Sequence, residues 1–234
     1  MQAMILAAGR GERMRPLTDR VPKPLLEVGG KPLIVHHIEN LARAGFTRIV
    51  VNHAHLGEMI EARLGDGSAF GVAIDYSREG QALETAGGIA HALPLLGGKP
   101  FLVVNGDVYC EFDFATLPQR CSRMEASAAK AHLVLVANPL HRADGDFALV
   151  DDLVRNQGSP RLTFSGIGLY DPRLFDVLTP GEKTPLAPLL RQAAEQGAVS
   201  GEHYRGRWED VGTPERLMNL DRELAGRGQV CAGG

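Results

Sequence analysis

The sequence is short of cysteine, of aromatic side chains and of any excess of one charge, and each shortage excludes a class of protein. Its three cysteines, Cys110, Cys121 and Cys231, are an odd number without CxxC spacing. They offer neither a disulfide framework nor a zinc site and point to a reducing cytoplasm. Lysine and arginine number 25 against 28 aspartate and glutamate, a formal charge of -3. No net positive field would therefore hold a nucleic acid or an acidic membrane. No apolar run approaches the ~20 residues of a membrane span. The short run at residues 4–8 has no basic segment before it, so neither an anchor nor a signal peptide is expected. Two phosphate motifs are missing as well. There is no GxxxxGK followed by Ser or Thr, and GxGxxG fails after Gly11 because Met14 stands in the last position, which argues against P-loop kinases, GTPases and dinucleotide dehydrogenases. What remains is 234 residues, 44% hydrophobic and 23% charged, a composition suited to one large globular domain.

Short apolar runs alternate with helical segments, the pattern of a parallel sheet covered on both faces. Strands are predicted at residues 4–7, 48–52, 72–76 and 101–105. Helices are predicted around Ile34, Ile38 and Leu41 with a glycine stop at Gly45, at 56–64 and at 85–93. Beyond residue 107 the pattern is less regular, with strands at 132–137, 147–150, 162–170 and 199–203 and helices at 186–196 and 214–224. No Pro/Ser-rich linker separates the halves. The expected fold class is α/β, a Rossmann-like doubly wound mixed sheet, as a single domain over residues 1–224 with an irregular C-terminal lobe. The glycine-containing stretch 225–234 is expected to be a flexible tail.

The first strand ends in Leu6-Ala7-Ala8-Gly9-Arg10-Gly11-Glu12-Arg13-Met14-Arg15-Pro16, at the sheet edge where such folds bind ligands. Glycine lets backbone N–H groups approach a phosphate oxygen, and guanidinium forks bond it bidentately. A tight turn carrying solvated arginines would show the same letters. The loop continues through Val21-Pro22-Lys23-Pro24-Leu25, where two prolines restrict the backbone around Lys23. An ammonium held in place this way is preorganised for charge that develops during a reaction.

Taken as a whole, residues 6–32, with LAAGRGERMRPLT and PKPLLEVGGKP, resemble the signature of the sugar-1-phosphate nucleotidyltransferases. The resemblance covers most of residues 1–224, is strongest in the first 107, and is closest to compact single-domain members that serve cell-wall recycling. It implies transfer of a uridylyl group from UTP to a sugar 1-phosphate, N-acetylmuramic acid 1-phosphate being the expected acceptor, with release of pyrophosphate. A guanylyl- or thymidylyltransferase for mannose or glucose 1-phosphate, or a non-catalytic nucleotide-sugar sensor, remains the alternative. The expected partners are these small molecules alone, with neither nucleic acid nor membrane, and the chain is expected to be a cytoplasmic monomer or weak homo-oligomer.

Chemistry on a nucleoside triphosphate calls for Mg2+, which takes one or two protein carboxylates beside phosphate oxygens. Asp107 ends the apolar run Val103-Val104-Asn105-Gly106-Asp107, and Asp210 sits in Trp208-Glu209-Asp210-Val211-Gly212-Thr213-Pro214. The resemblance implies that these two acids, 103 positions apart, share the metal. It makes Arg13 and Lys23 the catalytic cations and places the nucleotide on Leu6, Ala7, Ala8, Gly9, Gly11, Arg13 and Asn105. The stretch Leu83-Glu84-Thr85-Ala86-Gly87 is similar to the family's LGTAG base-binding segment, with Glu84 in place of its first glycine. Glu79, Thr85 and Gly87 are the expected base contacts. For the sugar phosphate the resemblance points to Gly145, Phe147, Ser165, Gly166 and Lys183. His53 and His55 alternate near a strand end, but no third metal ligand accompanies them.

Overall fold

Met4 and Ile5 are adjacent, both without exposed surface, and they point to opposite faces of strand β1 (Ala3–Leu6). An apolar run of this kind suits a strand buried on both faces. The computed structural model describes the backbone of residues 1–231 and the side chains of residues 1–226. After β1, a small hairpin of β2 (Glu27–Val28) and β3 (Lys31–Pro32) leads into α1 (Leu33–Arg43). Leu33, Ile34, Ile38 and Leu41 form the buried face of that helix, and Gly45, at φ 86, turns the chain away behind it. Then follow β4 (Arg48–His53), α2 (Gly57–Leu64), β5 (Ala73–Arg78), α3 (Glu84–Leu96), β6 (Phe101–Asn105), β7 (Val108–Cys110), α4 (Leu117–Glu125) and β8 (Ala131–Val136). The chain continues with β9 (Phe147–Val150), β10 (Leu153–Arg155), β11 (Arg161–Tyr170), α5 (Leu186–Glu195), β12 (Val199–Tyr204), β13 (Trp208–Asp210) and α6 (Pro214–Cys231).

Among the described residues the main sheet has nine strands, in the order β5-β4-β1-β6-β11-β8-β12-β10-β9. The sheet is mixed: β5, β4, β1 and β6 are parallel, and β11 runs antiparallel to both β6 and β8. From β1 the chain winds to one side through β4 and β5 and then crosses to β6 on the other side. The switch point therefore falls at the carboxyl end of β1, which is where open α/β sheets leave a crevice. One apolar cluster packs Ile38, Leu41 and Leu117 on one face of the sheet, and a second packs Ile89, Leu186 and Leu190 on the other. Helix α6 runs through Cys231, so residues 225–231, expected as flexible tail, are helical; residues 232–234 lie outside the described residues. No helix among the described residues is long and apolar enough to cross a membrane.

His37 ties α1 to the strand that follows Asp107, with Nε2 donating to the Val108 carbonyl at 2.7 Å. Burial pushes its pKa down to about 4, because the charged ring would lose its hydration. The folded pKa lies below the unfolded value of 6.5, so as pH falls from 6.5 toward 4 the unfolded chain takes up a proton that the folded chain refuses. Stability should fall across that window, by about 2 kcal/mol between pH 7 and pH 5 from this group alone. Urea unfolding of wild type and His37→Gln at the two pH values checks this: the variant should lose less stability on acidification. Equal losses would assign the acid sensitivity to other groups.

Candidate active site

A cavity of about 330 Å³ opens where β1 gives way to its loop. Leu6, Ala7, Ala8, Gly9, Gly11 and Arg13 line one side, and Thr85, Asn105 and Asp107 line others. A local scaffold holds the loop in place. Asn52, at the end of β4, accepts from the Ala7 N–H at 2.9 Å and donates to Glu79 Oε1 at 2.5 Å, while Glu79 Oε2 accepts from the Leu83 N–H at 2.8 Å. The β1 loop is thereby pinned to the segment that starts α3. Gly11 is left-handed at φ 68, and a Cβ there would stand 2.8 Å from Thr18 Cγ2 and 3.3 Å from Lys23 Cβ. This glycine lets the proline-flanked turn close onto the loop. Among the described residues, no atom outside residues 8–10 lies within 4 Å of the point where a Cβ on Gly9 would sit, so the loop faces open space there.

Lys23 is buried, and its Nζ donates to Asp107 Oδ2 at 2.6 Å. Asp107 leaves β6 through Gly106, whose N–H donates to the Leu6 carbonyl at 2.9 Å. The second acid arrives from far along the chain. Strand β13 pairs antiparallel with β7, setting Asp210 opposite Val108, and the Val211 N–H donates to the Asp107 carbonyl at 3.1 Å. Asp107 and Asp210 accordingly line one adjoining cavity of about 340 Å³, together with Arg13, Asn105, His141 and Arg142. Asp210 Oδ2 accepts from Arg216 Nη1 at 2.8 Å and lies 3.2 Å from His141 Nε2. Arg13 borders both cavities and has no ion-pair partner among the described residues. No group of three or more His, Cys, Asp or Glu side chains among those residues could hold a metal by itself. A hard cation bound here would rely on the two carboxylates and on oxygens supplied by substrate.

Several residues expected at the site make contacts within the protein. The Glu79 carboxylate is consumed by Asn52 and Leu83, so it positions the loop and does not line the cavity. Gly87 is a packing glycine: a Cβ there would meet the Glu182 carbonyl at 2.4 Å, and its N–H donates to the Thr184 carbonyl. Gly145, at φ 62, makes a turn against Asn138 and Arg161, and Phe147 is buried in the core. Gly166, at φ 82 in a bulge of β11, leaves the space that the Asn105 side chain fills. Ser165 lines the second cavity, but its hydroxyl donates to the Val134 carbonyl. Lys183 is exposed on the segment packed against the start of α3 and lines neither cavity. His53 is held by Glu61 at 2.7 Å. Asn52, His141, Arg142 and Arg216 escape sequence reasoning, because only the folded chain brings them to the site.

Glu84 lines the first cavity with φ 60, a left-handed backbone that costs a non-glycine residue ~1–2 kcal/mol. Its place in the segment is the one where a glycine is usual. Glu84→Gly is expected to stabilise the fold by up to about 1 kcal/mol once the extra freedom of unfolded glycine is subtracted. A raised urea midpoint would show this; a lowered one would mean that the glutamate side chain compensates for its backbone.

Comparison with known proteins identifies the family. The family model described as nucleotidyl transferase matches residues 2–147. A Neisseria meningitidis serogroup B protein named N-acetylmuramate alpha-1-phosphate uridylyltransferase is 58% identical over 230 residues, covering 97% of this chain and 99% of that one. A Caulobacter vibrioides protein of the same name is 34% identical, over 95% and 96% of the two chains. Among solved structures, one from Bacillus anthracis, named as a glucose-1-phosphate thymidylyltransferase, has a TM-score of 0.83 at 23% identity, over 96% of this chain and 95% of that one. That last likeness concerns the fold alone.

Proposed function

The chain belongs to the nucleotidyl transferase family, and from that premise we propose that it transfers the uridylyl group of UTP to N-acetylmuramic acid 1-phosphate, giving the UDP-sugar and pyrophosphate. The observation that carries the mechanism is the meeting of Arg13, Lys23, Asp107 and Asp210 around two adjoining cavities at the switch point of the sheet. In this reading the first cavity takes the nucleotide and the second takes the sugar phosphate, with the α-phosphorus between them. The name shared by the Neisseria and Caulobacter relatives supports the choice of base and sugar.

An oxygen of the sugar 1-phosphate attacks the α-phosphorus, a new P–O bond forms, and the bond from that phosphorus to the pyrophosphate oxygen breaks. The acceptor is already an anion, so no proton has to be removed and no covalent enzyme intermediate is needed. Rate then comes from alignment and from neutralising charge. Lys23 presents a fixed ammonium beside Asp107, where the α-phosphate would lie. Arg13 extends its guanidinium from the loop toward the triphosphate. The backbone of Ala7, Ala8, Gly9 and Gly11 cradles the nucleotide, with Thr85 and Asn105 on the opposite wall. Asp107 and Asp210 would hold Mg2+, which supplies further charge neutralisation to the triphosphate when bound. Arg216 fixes the orientation of Asp210.

A cytoplasmic role in cell-wall recycling, and a single catalytic domain over residues 1–224 acting as a monomer or weak oligomer, belong to the same proposal. Pyrophosphate release with UTP, GTP and dTTP against a panel of sugar 1-phosphates tests it. The highest kcat/KM is expected for UTP with N-acetylmuramic acid 1-phosphate. Preference for GTP with mannose 1-phosphate would overturn the substrate assignment, and silence with every pair would favour a nucleotide-sugar sensor.

A further inference from the structure

The second cavity is lined by one arginine that the mechanism above does not use. Asp107 is answered by Lys23, and Asp210 by Arg216 and His141. Arg13 lies on the border shared with the nucleotide cavity. Arg142 is then the one arginine or lysine, among the described residues, that lines the second cavity only. We propose that Arg142 determines acceptor specificity by binding a carboxylate carried on the sugar, away from its phosphate. The inference rests on the uridylyl-transfer reading above and adds the residue that reads the sugar's acidic side chain.

The geometry suits that task. Arg142 stands in a stapled loop: its N–H donates to the Pro139 carbonyl at 2.8 Å, and Asn138 Nδ2 donates to the carbonyls of Ala143 and Arg161 at 2.9 and 3.0 Å. Its Nη1 contacts Asp146 Oδ2 at 3.2 Å, an oxygen that also accepts the Phe164 N–H at 2.9 Å. This single contact to a shared oxygen orients the guanidinium while leaving other N–H donors free for a planar bidentate partner. The side chain is 56% exposed, so an incoming carboxylate needs no buried pair to be dismantled. N-acetylmuramic acid differs from N-acetylglucosamine by a lactyl ether that is a carboxylate at neutral pH. Neutral hydroxyls and amides cannot distinguish the two as strongly as a cation on the acceptor wall.

The test measures kcat/KM for N-acetylmuramic acid 1-phosphate and for N-acetylglucosamine 1-phosphate, both with UTP, in wild type, Arg142→Met and Arg142→Lys. Arg142→Met should lower the ratio of the two values by about tenfold or more, chiefly through KM of the lactyl acceptor, and Arg142→Lys should restore part of it. Calorimetric binding of the two UDP-sugars should show the same loss of preference. Equal losses on both acceptors, or an unchanged ratio, would overturn the assignment of Arg142 alone. A wild-type enzyme inactive on the lactyl acceptor would overturn the parent reading and this inference with it.

Discussion

Exchanging Asp107 for asparagine is expected to lower kcat by about 100-fold or more, the scale on which loss of one preorganised electrostatic contact is felt. The side chain is placed by a short rigid path: β6 ends at Asn105, and Gly106 locks onto the Leu6 carbonyl. Asparagine fits that path unchanged, and its amide oxygen can still accept from the Lys23 ammonium. What disappears is the charge offered to a metal and to the lysine. The Asp107 side chain is 39% exposed, so the change should cost only ~1–2 kcal/mol of stability, mostly from the weakened bond to Lys23. Steady-state pyrophosphate release together with a thermal melt separates the two effects. Turnover within about tenfold of wild type at saturating Mg2+ would remove Asp107 from the mechanism.

Removing the ammonium is expected to hurt as much. Lys23→Met keeps an unbranched stem in the slot against Gly11 but leaves the α-phosphate without its fixed cation, and kcat should fall about 100- to 1000-fold. The lysine side chain is only 8% exposed, whereas Asp107 can rehydrate, so the melting temperature should change little. Arginine is not expected to rescue, because its planar fork does not fit a slot shaped for a straight chain between two prolines. In the double variant Asp107→Asn/Lys23→Met the losses should be far from additive, since the two groups act as a pair. Near-normal kcat in Lys23→Met would leave the lysine a merely structural partner of Asp107.

Features that local chemistry writes into the chain were legible before folding. Met4 to Leu6 and Phe101 to Asn105 are apolar enough to be strands buried on both sides, and both are where the pattern places them. The loop glycines, the prolines around Lys23 and the two strand-end aspartates, on which the proposed mechanism rests, also stand out in the sequence. Less visible was how Asp210 reaches Asp107, because the connection is a ribbon of two three-residue strands, Val108–Cys110 and Trp208–Asp210, too short to show alternation. Helix α4 is absent from the sequence reading, although its buried residues Leu117, Cys121 and Met124 repeat the spacing of Ile34, Ile38 and Leu41.

The letters alone do not decide what the glycines expected at the sugar and base face. Gly87, Gly145 and Gly166 are required by close neighbours, the Glu182 carbonyl, Asn138 and Asn105, and a glycine pressed against protein looks the same in sequence as one pressed against ligand. Phe147 lies on a strand whose inward face is decided by pairing with β10 and β11, which the local letters do not contain. Arg142 was invisible for the opposite reason: it looks like a solvated loop cation until Asn138 and Asp146 turn it to the second cavity.

Everything in the mechanism depends on Asp107 and Asp210 serving one ion. Crystals grown with the UDP-sugar product and Mn2+, with data collected for manganese anomalous scattering, test that directly. The account predicts a peak about 2.1 Å from a carboxylate oxygen of each aspartate. A peak bound by only one of them, or sited away from both, would contradict it.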